Sequence, residues 1–154
     1  RVKRVTDKYD VPLIINDRLD ICLAVDAAGV HLGQTDLPCS MARRILGAEK
    51  IIGVSAATPE EAAKAQSDGA DYLGVGAVFA TSTKTNTRPV TAETIRAIRS
   101  AVDIPFVVIG GVNSENISGL YGLGINGAAV ISAIISQPDI TAAARKMRQA
   151  AERL

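Results

Sequence analysis

Apolar residues along this chain fall into short unbroken runs, each closed by a polar or glycine-bearing step and followed by a stretch with helical spacing. The runs lie near Val11–Asn16, Gly29–Leu32, Ile51–Val54, Tyr72–Val75, Phe106–Ile109 and Ala128–Ile131. Most are continuous rather than alternating, as strands covered on both faces should be. Between and after them, helices are expected over Asp20–Ala27, Pro38–Leu46, Thr58–Asp68, Thr91–Ala101, Ser114–Leu123 and Asp139–Arg153. The clearest start is Thr58, a capping hydroxyl followed by Pro59 at the first helical position and Glu61 at the third.

The units resemble one another. VDAAGVHLG, SDGADYLGVG and LGINGAAVIS each carry a helix end, small residues and a strand, while DVPLIIND and DIPFVVIGG each open a strand with aspartate and proline. Repeated strand–helix units with right-handed crossovers make a parallel sheet. A doubly wound open sheet and a (β/α)8 TIM barrel both satisfy that pattern. Gly74 and Gly76 form a lone GxG without the third glycine of a dinucleotide fingerprint. Polar residues instead gather after the strands, where a barrel builds its site. The expectation is therefore an α/β TIM barrel with six of its eight βα units in this chain. Residues 1–154 would be a single barrel domain lacking its first two units. The opening RVKRVTDKYD, without an initiator Met, reads as the end of a helix feeding a strand.

Composition narrows the function classes. The chain has 154 residues, 47% of them hydrophobic, enough for one domain with a substantial core. Tryptophan is absent and aromatics make up 3%, so the core must be mainly aliphatic. A net charge of +1 supplies no steering field for nucleic acid or an anionic membrane, and no run is long and apolar enough to span one. Cys22 and Cys39 suit neither a disulfide framework nor a thiolate metal cluster, which points to a reducing cytoplasm.

The candidate chemistry lies at the strand ends. Asn16, Asp17 and Arg18 follow the first strand; Asp17 is either a ligand or a solvated loop residue, and Asp20 is an alternative helix cap. Asp36 follows the second strand, so Asp17 and Asp36 come from neighbouring strands and suit a hard cation such as Mg²⁺. His31, the only histidine, lies within a strand, where packing is the simpler role, and the lack of a histidine cluster excludes zinc. Ser55 ends the third strand, ready to donate to a phosphate oxygen or to backbone. After the fourth strand, Thr81, Ser82, Thr83 and Lys84 set three hydroxyls beside an ammonium, with Arg88 close behind, a pattern for anion binding or for an exposed polar loop. The last two strands run into Gly110–Gly111 and into Ser132. Those are ordinary turns or, in a barrel, the phosphate cradle of its final two loops.

With those residues assembled, the chain resembles the thiamine phosphate synthase family. The matching stretches are VPLIINDR, GVHLGQTDLP, IIGVSA, GADYLGVGAVFATSTK, VVIGGVN and AVISAI, in the family's order. The resemblance implies an enzyme that joins hydroxymethylpyrimidine diphosphate to a thiazole phosphate, releasing diphosphate by a largely dissociative substitution assisted by Mg²⁺. It implies Asp17 and Asp36 as metal ligands and Asn16 and Ser55 as diphosphate contacts. Thr81, Thr83 and Lys84 would cover the substrates and stabilise the leaving group, making Lys84, Ser55 and Thr83 the catalytic residues. Gly111, Ile131 and Ser132 would hold the thiazole phosphate. A homodimer and a cytoplasmic location also fit the family. This chain departs from the family in beginning after its early Gln/Arg/Lys strand and in lacking a glycine before the helix near Thr91, which Thr91 would cap instead. A thiazole tautomerase of the same fold is the nearest alternative, but it calls for a histidine at the rim. A non-catalytic phosphate-binding or regulatory protein is the alternative of another class.

Overall fold

The structure, a computed structural model, describes residues 1–80 and 88–154. Among the described residues, six strands form one sheet: β1 (Ile14–Asn16), β2 (Gly29–Leu32), β3 (Ile51–Ala56), β4 (Tyr72–Gly76), β5 (Phe106–Ile109) and β6 (Gly127–Ala129). They lie side by side in chain order and every pair is parallel. A doubly wound sheet would reverse direction at a switch point. This one never does, so right-handed crossovers carry the helices to one face and the sheet curls one way.

The helices are α1 (Val2–Lys8), α2 (Leu19–Ala24), α3 (Cys39–Leu46), α4 (Pro59–Ser67), α5 (Ala92–Ala101), α6 (Ser132–Ile135) and α7 (Ile140–Ala151). Thr58 caps α4 as its sequence implies, its hydroxyl accepting from Glu61 N at 3.2 Å. Thr91 does the same for α5, accepting from Thr94 N at 3.2 Å. Asp20, the alternative cap at α2, is not the cap: it sits in the first helical turn, tied to Arg18.

Successive strand residues point to opposite faces. Val30, Leu32, Ile52, Val54, Leu73, Val75, Phe106 and Val108 are buried, and they pack in one core with Cys22, Ala42, Ala62, Ile95 and Ile98 from the helices. Burying each large aliphatic or aromatic side chain contributes roughly 1.5–3 kcal/mol before chain entropy is set against it. Both cysteines are free and buried. The alternate positions His31, Gly53, Ser55, Tyr72 and Gly74 occupy the inner face. Two of them are glycines that leave room for neighbouring rings: a Cβ at Gly53 would lie 2.1 Å from the Tyr72 ring, and one at Gly74 would lie 2.9 Å from His31.

Three expected elements differ. The first strand is three residues rather than six, because Val11 N still bonds Thr6 O at the end of α1 and Pro12 has no N–H to give the ladder. The last strand begins at Gly127 and ends at Ala129, which leaves Ile131 and Ser132 to open α6 rather than to finish a strand. The helix expected over Ser114–Leu123 is only a 3-10 turn, Ile117–Leu120. Asn113 and Asn116 capture each other's N–H groups there, and Gly122 follows at φ +74°. Side-chain capture of this kind competes directly with helix hydrogen bonds.

Candidate active site

The carboxyl ends of β3 to β6 surround a cleft of about 610 Å³. Ser55, Gly110, Gly111, Ile131 and Ser132 are among the residues that line it. Four residues expected from sequence, Ser55, Gly111, Ile131 and Ser132, thus share one space. Asn16, Asp17 and Asp36 do not line it, although Gly33, Gln34 and Thr35 from the same β2 rim loop as Asp36 do. Thr81, Thr83 and Lys84 lie outside the described residues.

The two aspartates are pinned to a single stretch of backbone. Asp17 N donates to His31 O at 2.8 Å, placing Asp17 at φ +64°, a left-handed conformation that aspartate tolerates better than most side chains. Asp36 Oδ2 accepts from Gly33 N at 2.6 Å. Both residues therefore hang on His31–Gly33 at the end of β2. Among the described residues, no three His, Cys, Asp or Glu side chains gather as a metal cage. A pair of carboxylates is nevertheless the donor set that Mg²⁺ takes, with water and phosphate oxygens completing the shell.

The glycine corner after β5 is built for close approach. Gly110 and Gly111 have φ +98° and +65°, and Asn116 Nδ2 donates to Gly111 O at 2.9 Å. Phe79 N donates to Gly110 O at 3.1 Å, locking the chain after β4 onto this corner.

Several contributors were not singled out as site residues from sequence. Gln34 Nε2 donates to Ser55 O at 2.6 Å, tying the β2 rim loop to the end of β3. His31 faces inward with Nδ1 2.9 Å from the Tyr72 hydroxyl and Nε2 3.0 Å from Ser55 Oγ. Ser55 thus has a histidine beside its hydroxyl, a partner its position did not suggest. Glu61 accepts from Ala57 N at 2.8 Å and pairs with Arg88, both on the cleft wall. Only the threonine–glutamate spacing at α4 hinted at Glu61, and it pointed to a cap.

Burial alone would raise the Glu61 carboxyl, but the Arg88 guanidinium and the Ala57 N–H outweigh it and hold the group below its ordinary value of 4.5. A depressed folded value means the pairing stabilises the fold fully above 4.5 and ceases to do so as pH falls through the lower value. Glu61→Gln is therefore expected to lose about 1 kcal/mol at neutral pH and to flatten the acid limb of stability. Denaturant unfolding of both forms from pH 7 down to acid checks this, and parallel curves contradict it.

Fold and rim together define a parallel α/β protein with a curled sheet and a cleft at the carboxyl ends of its strands. The family model described as thiamine monophosphate synthase matches residues 1–134, and the chain belongs to that family. Thiamine-phosphate synthase of Ruminiclostridium cellulolyticum is 58% identical over 146 residues, covering 95% of this chain and 70% of the relative. The enzyme of the same name from Clostridium beijerinckii is 51% identical over 148 residues, covering 96% and 71%. Among solved structures, thiamine phosphate pyrophosphorylase from Pyrococcus furiosus superposes with a TM-score of 0.89 at 41% identity, over 97% of this chain and 71% of that one. A 3-hexulose-6-phosphate synthase, 21% identical with a TM-score of 0.62, shares the fold alone. Among the described residues, no helix is long and apolar enough to cross a membrane.

Proposed function

We propose that the chain is a thiamine phosphate synthase, a transferase joining 4-amino-2-methyl-5-hydroxymethylpyrimidine diphosphate to 4-methyl-5-(2-phosphoethyl)thiazole with release of diphosphate. The observation that carries the proposal is the shared cleft, which Ser55, the Gly110–Gly111 corner and Ser132 all line, in a chain of this family.

The reaction needs one anion to leave and one to stay. Ser55 donates to the departing diphosphate, Asn16 contacts it from the neighbouring rim, and Thr81, Thr83 and Lys84 supply further donors and a positive charge. Asp17 and Asp36 would hold Mg²⁺, which when bound neutralises charge on the diphosphate. Gly111, Ile131 and Ser132 hold the thiazole phosphate, so the ring nitrogen waits beside the carbon that loses diphosphate. The C–O bond breaks with its electrons going to diphosphate, and the nitrogen lone pair fills the vacancy. No base is required, because that nitrogen carries no proton.

The sheet itself is read as an arc of a closed eight-stranded barrel. β1 and β6 each have one strand neighbour among the described residues. Val5, Val11, Ile21 and Leu23 are exposed in or beside β1 and its flanking helices, as are Ile131, Ile135 and Ile140 after β6. Two further βα units would cover both sets and pair both edges.

The test is product formation. With both substrates and Mg²⁺, mass spectrometry is expected to show thiamine phosphate and diphosphate appearing in equal amounts, with neither formed when the pyrimidine diphosphate is omitted. Turnover of the thiazole phosphate alone, or diphosphate release without coupling, contradicts the proposal.

A further inference from the structure

Three neighbouring strands meet on the inner face in a chain of polar atoms that leads into the cleft. Tyr72 of β4 lies against His31 of β2, with ring centroids 5.4 Å apart and the hydroxyl 2.9 Å from Nδ1. The other ring nitrogen, Nε2, lies 3.0 Å from Ser55 Oγ at the end of β3. Ser55 lines the cleft, whereas Tyr72 and His31 do not. The arrangement is built rather than incidental, because Gly53 and Gly74 leave the space that the phenol and imidazole fill.

We infer that Tyr72 and His31 are positioning residues: the phenol holds the imidazole as its Nε2–H tautomer, so that Ser55 accepts from His31 and keeps its own hydroxyl proton for the ligand. The inference rests on the proposed role of Ser55 as a donor to diphosphate. A neutral imidazole has one donor and one acceptor nitrogen, so the chain of three groups has two proton arrangements. In one, Tyr72 donates to Nδ1 and Nε2–H donates to Ser55, leaving the serine hydrogen to point into the cleft. In the other, Ser55 donates to Nε2 and Nδ1–H donates to Tyr72, so the serine presents only lone pairs to an anion.

The surroundings decide between them. The Tyr72 hydroxyl has no other hydrogen-bond partner among the described residues, so only donation to Nδ1 gives its proton an acceptor within the protein. Burial pushes its pKa above the ordinary 10, which keeps that proton in place at neutral pH. Ser55 lines the cleft, where its hydrogen can meet a ligand, whereas the half-buried Tyr72 does not line it. The first arrangement therefore gives the Tyr72 and His31 protons acceptors among the described residues, and it makes the serine a donor when an anion arrives.

His31 is the only histidine in the chain, so a ¹⁵N-detected imidazole spectrum has a single ring to report. The expected result at neutral pH is the Nε2–H tautomer, with Tyr72→Phe shifting the ring toward a mixture. An Nδ1–H tautomer or a doubly protonated ring in the unaltered protein overturns the inference, whether or not the protein makes thiamine phosphate. Kinetics add a second arm. His31→Leu is expected to lower kcat about as much as Ser55→Ala, on the order of a hundredfold, with KM for the thiazole phosphate unchanged. His31→Gln, whose amide N–H takes the place of Nε2–H, should recover to within about tenfold of the unaltered enzyme. Adding Tyr72→Phe to His31→Gln should cost nothing more, because an amide has no tautomer to select. Equal losses from the leucine and glutamine variants, accompanied by equal falls in Tm, assign His31 a purely structural role and overturn the inference.

Discussion

Asp36→Asn is expected to lower kcat/KM by about a hundredfold or more while leaving the fold intact. The substitution is chosen for what it keeps. The amide oxygen still accepts from Gly33 N, the bond that now fixes Asp36 Oδ2 at 2.6 Å, so the rim loop retains its shape. What is lost is one negative charge and, in the proposed metal site, one of its two carboxylates. Asp17→Asn is the matched case, since asparagine accepts the left-handed backbone at φ +64° as readily as aspartate. Both variants should need more Mg²⁺ for half-maximal rate, and both should melt within about 2 °C of the unaltered protein. Steady-state rates across a magnesium titration, read beside thermal melts, check this. A variant with unchanged rate and unchanged magnesium dependence removes its residue from the metal site.

The second large effect belongs to the glycine corner. Gly111→Ala should raise KM for the thiazole phosphate by about a hundredfold and destabilise the fold by about 2 kcal/mol or more. An added Cβ would sit 2.5 Å from Ala80 O and 2.9 Å from Phe79 Cβ, where ordinary contacts are 3.4–4 Å. The backbone at φ +65° is also unfavourable for alanine. Either the corner or the segment at Phe79–Ala80 must move, and the first disturbs the N–H groups that would face phosphate. Isothermal titration with the thiazole phosphate separates the two losses: weakened binding in a folded variant supports the cradle. Unchanged affinity despite a lower Tm leaves Gly111 with a packing role only.

Much of this architecture was legible in the sequence, for physical reasons that also explain the misses. Unbroken runs such as Ile51–Val54 and Phe106–Ile109 suit strands in the middle of a covered sheet, so they marked the parallel strands, although Val107 is half-buried and Ile109 exposed. Thr58 and Thr91 marked helix starts because a hydroxyl there has N–H groups to accept. The stretch after Gly111 misled because its apolar residues have helical spacing, while Asn113 and Asn116 bind the backbone locally and no longer leave it free to coil. Ser55, Gly111, Ile131 and Ser132 were legible as residues of one cleft because they lie at or beyond the carboxyl ends of strands, which fixes the rim they occupy. Glu61 escaped because its partner Arg88 is 27 residues away and chain spacing says nothing of that meeting. The link from Tyr72 through His31 to Ser55 was hidden for the same reason: it depends on the register that sets Gly53 opposite both His31 and Tyr72.

A crystal structure of the protein soaked with thiamine phosphate, diphosphate and Mg²⁺ tests the central claim most directly. Diphosphate is expected beside Ser55, with the cation between it and the carboxylates of Asp17 and Asp36, and the thiamine phosphate group against Gly110–Gly111 and Ser132. Ligands bound away from the carboxyl ends of the strands, or a cation held by neither aspartate, would contradict it.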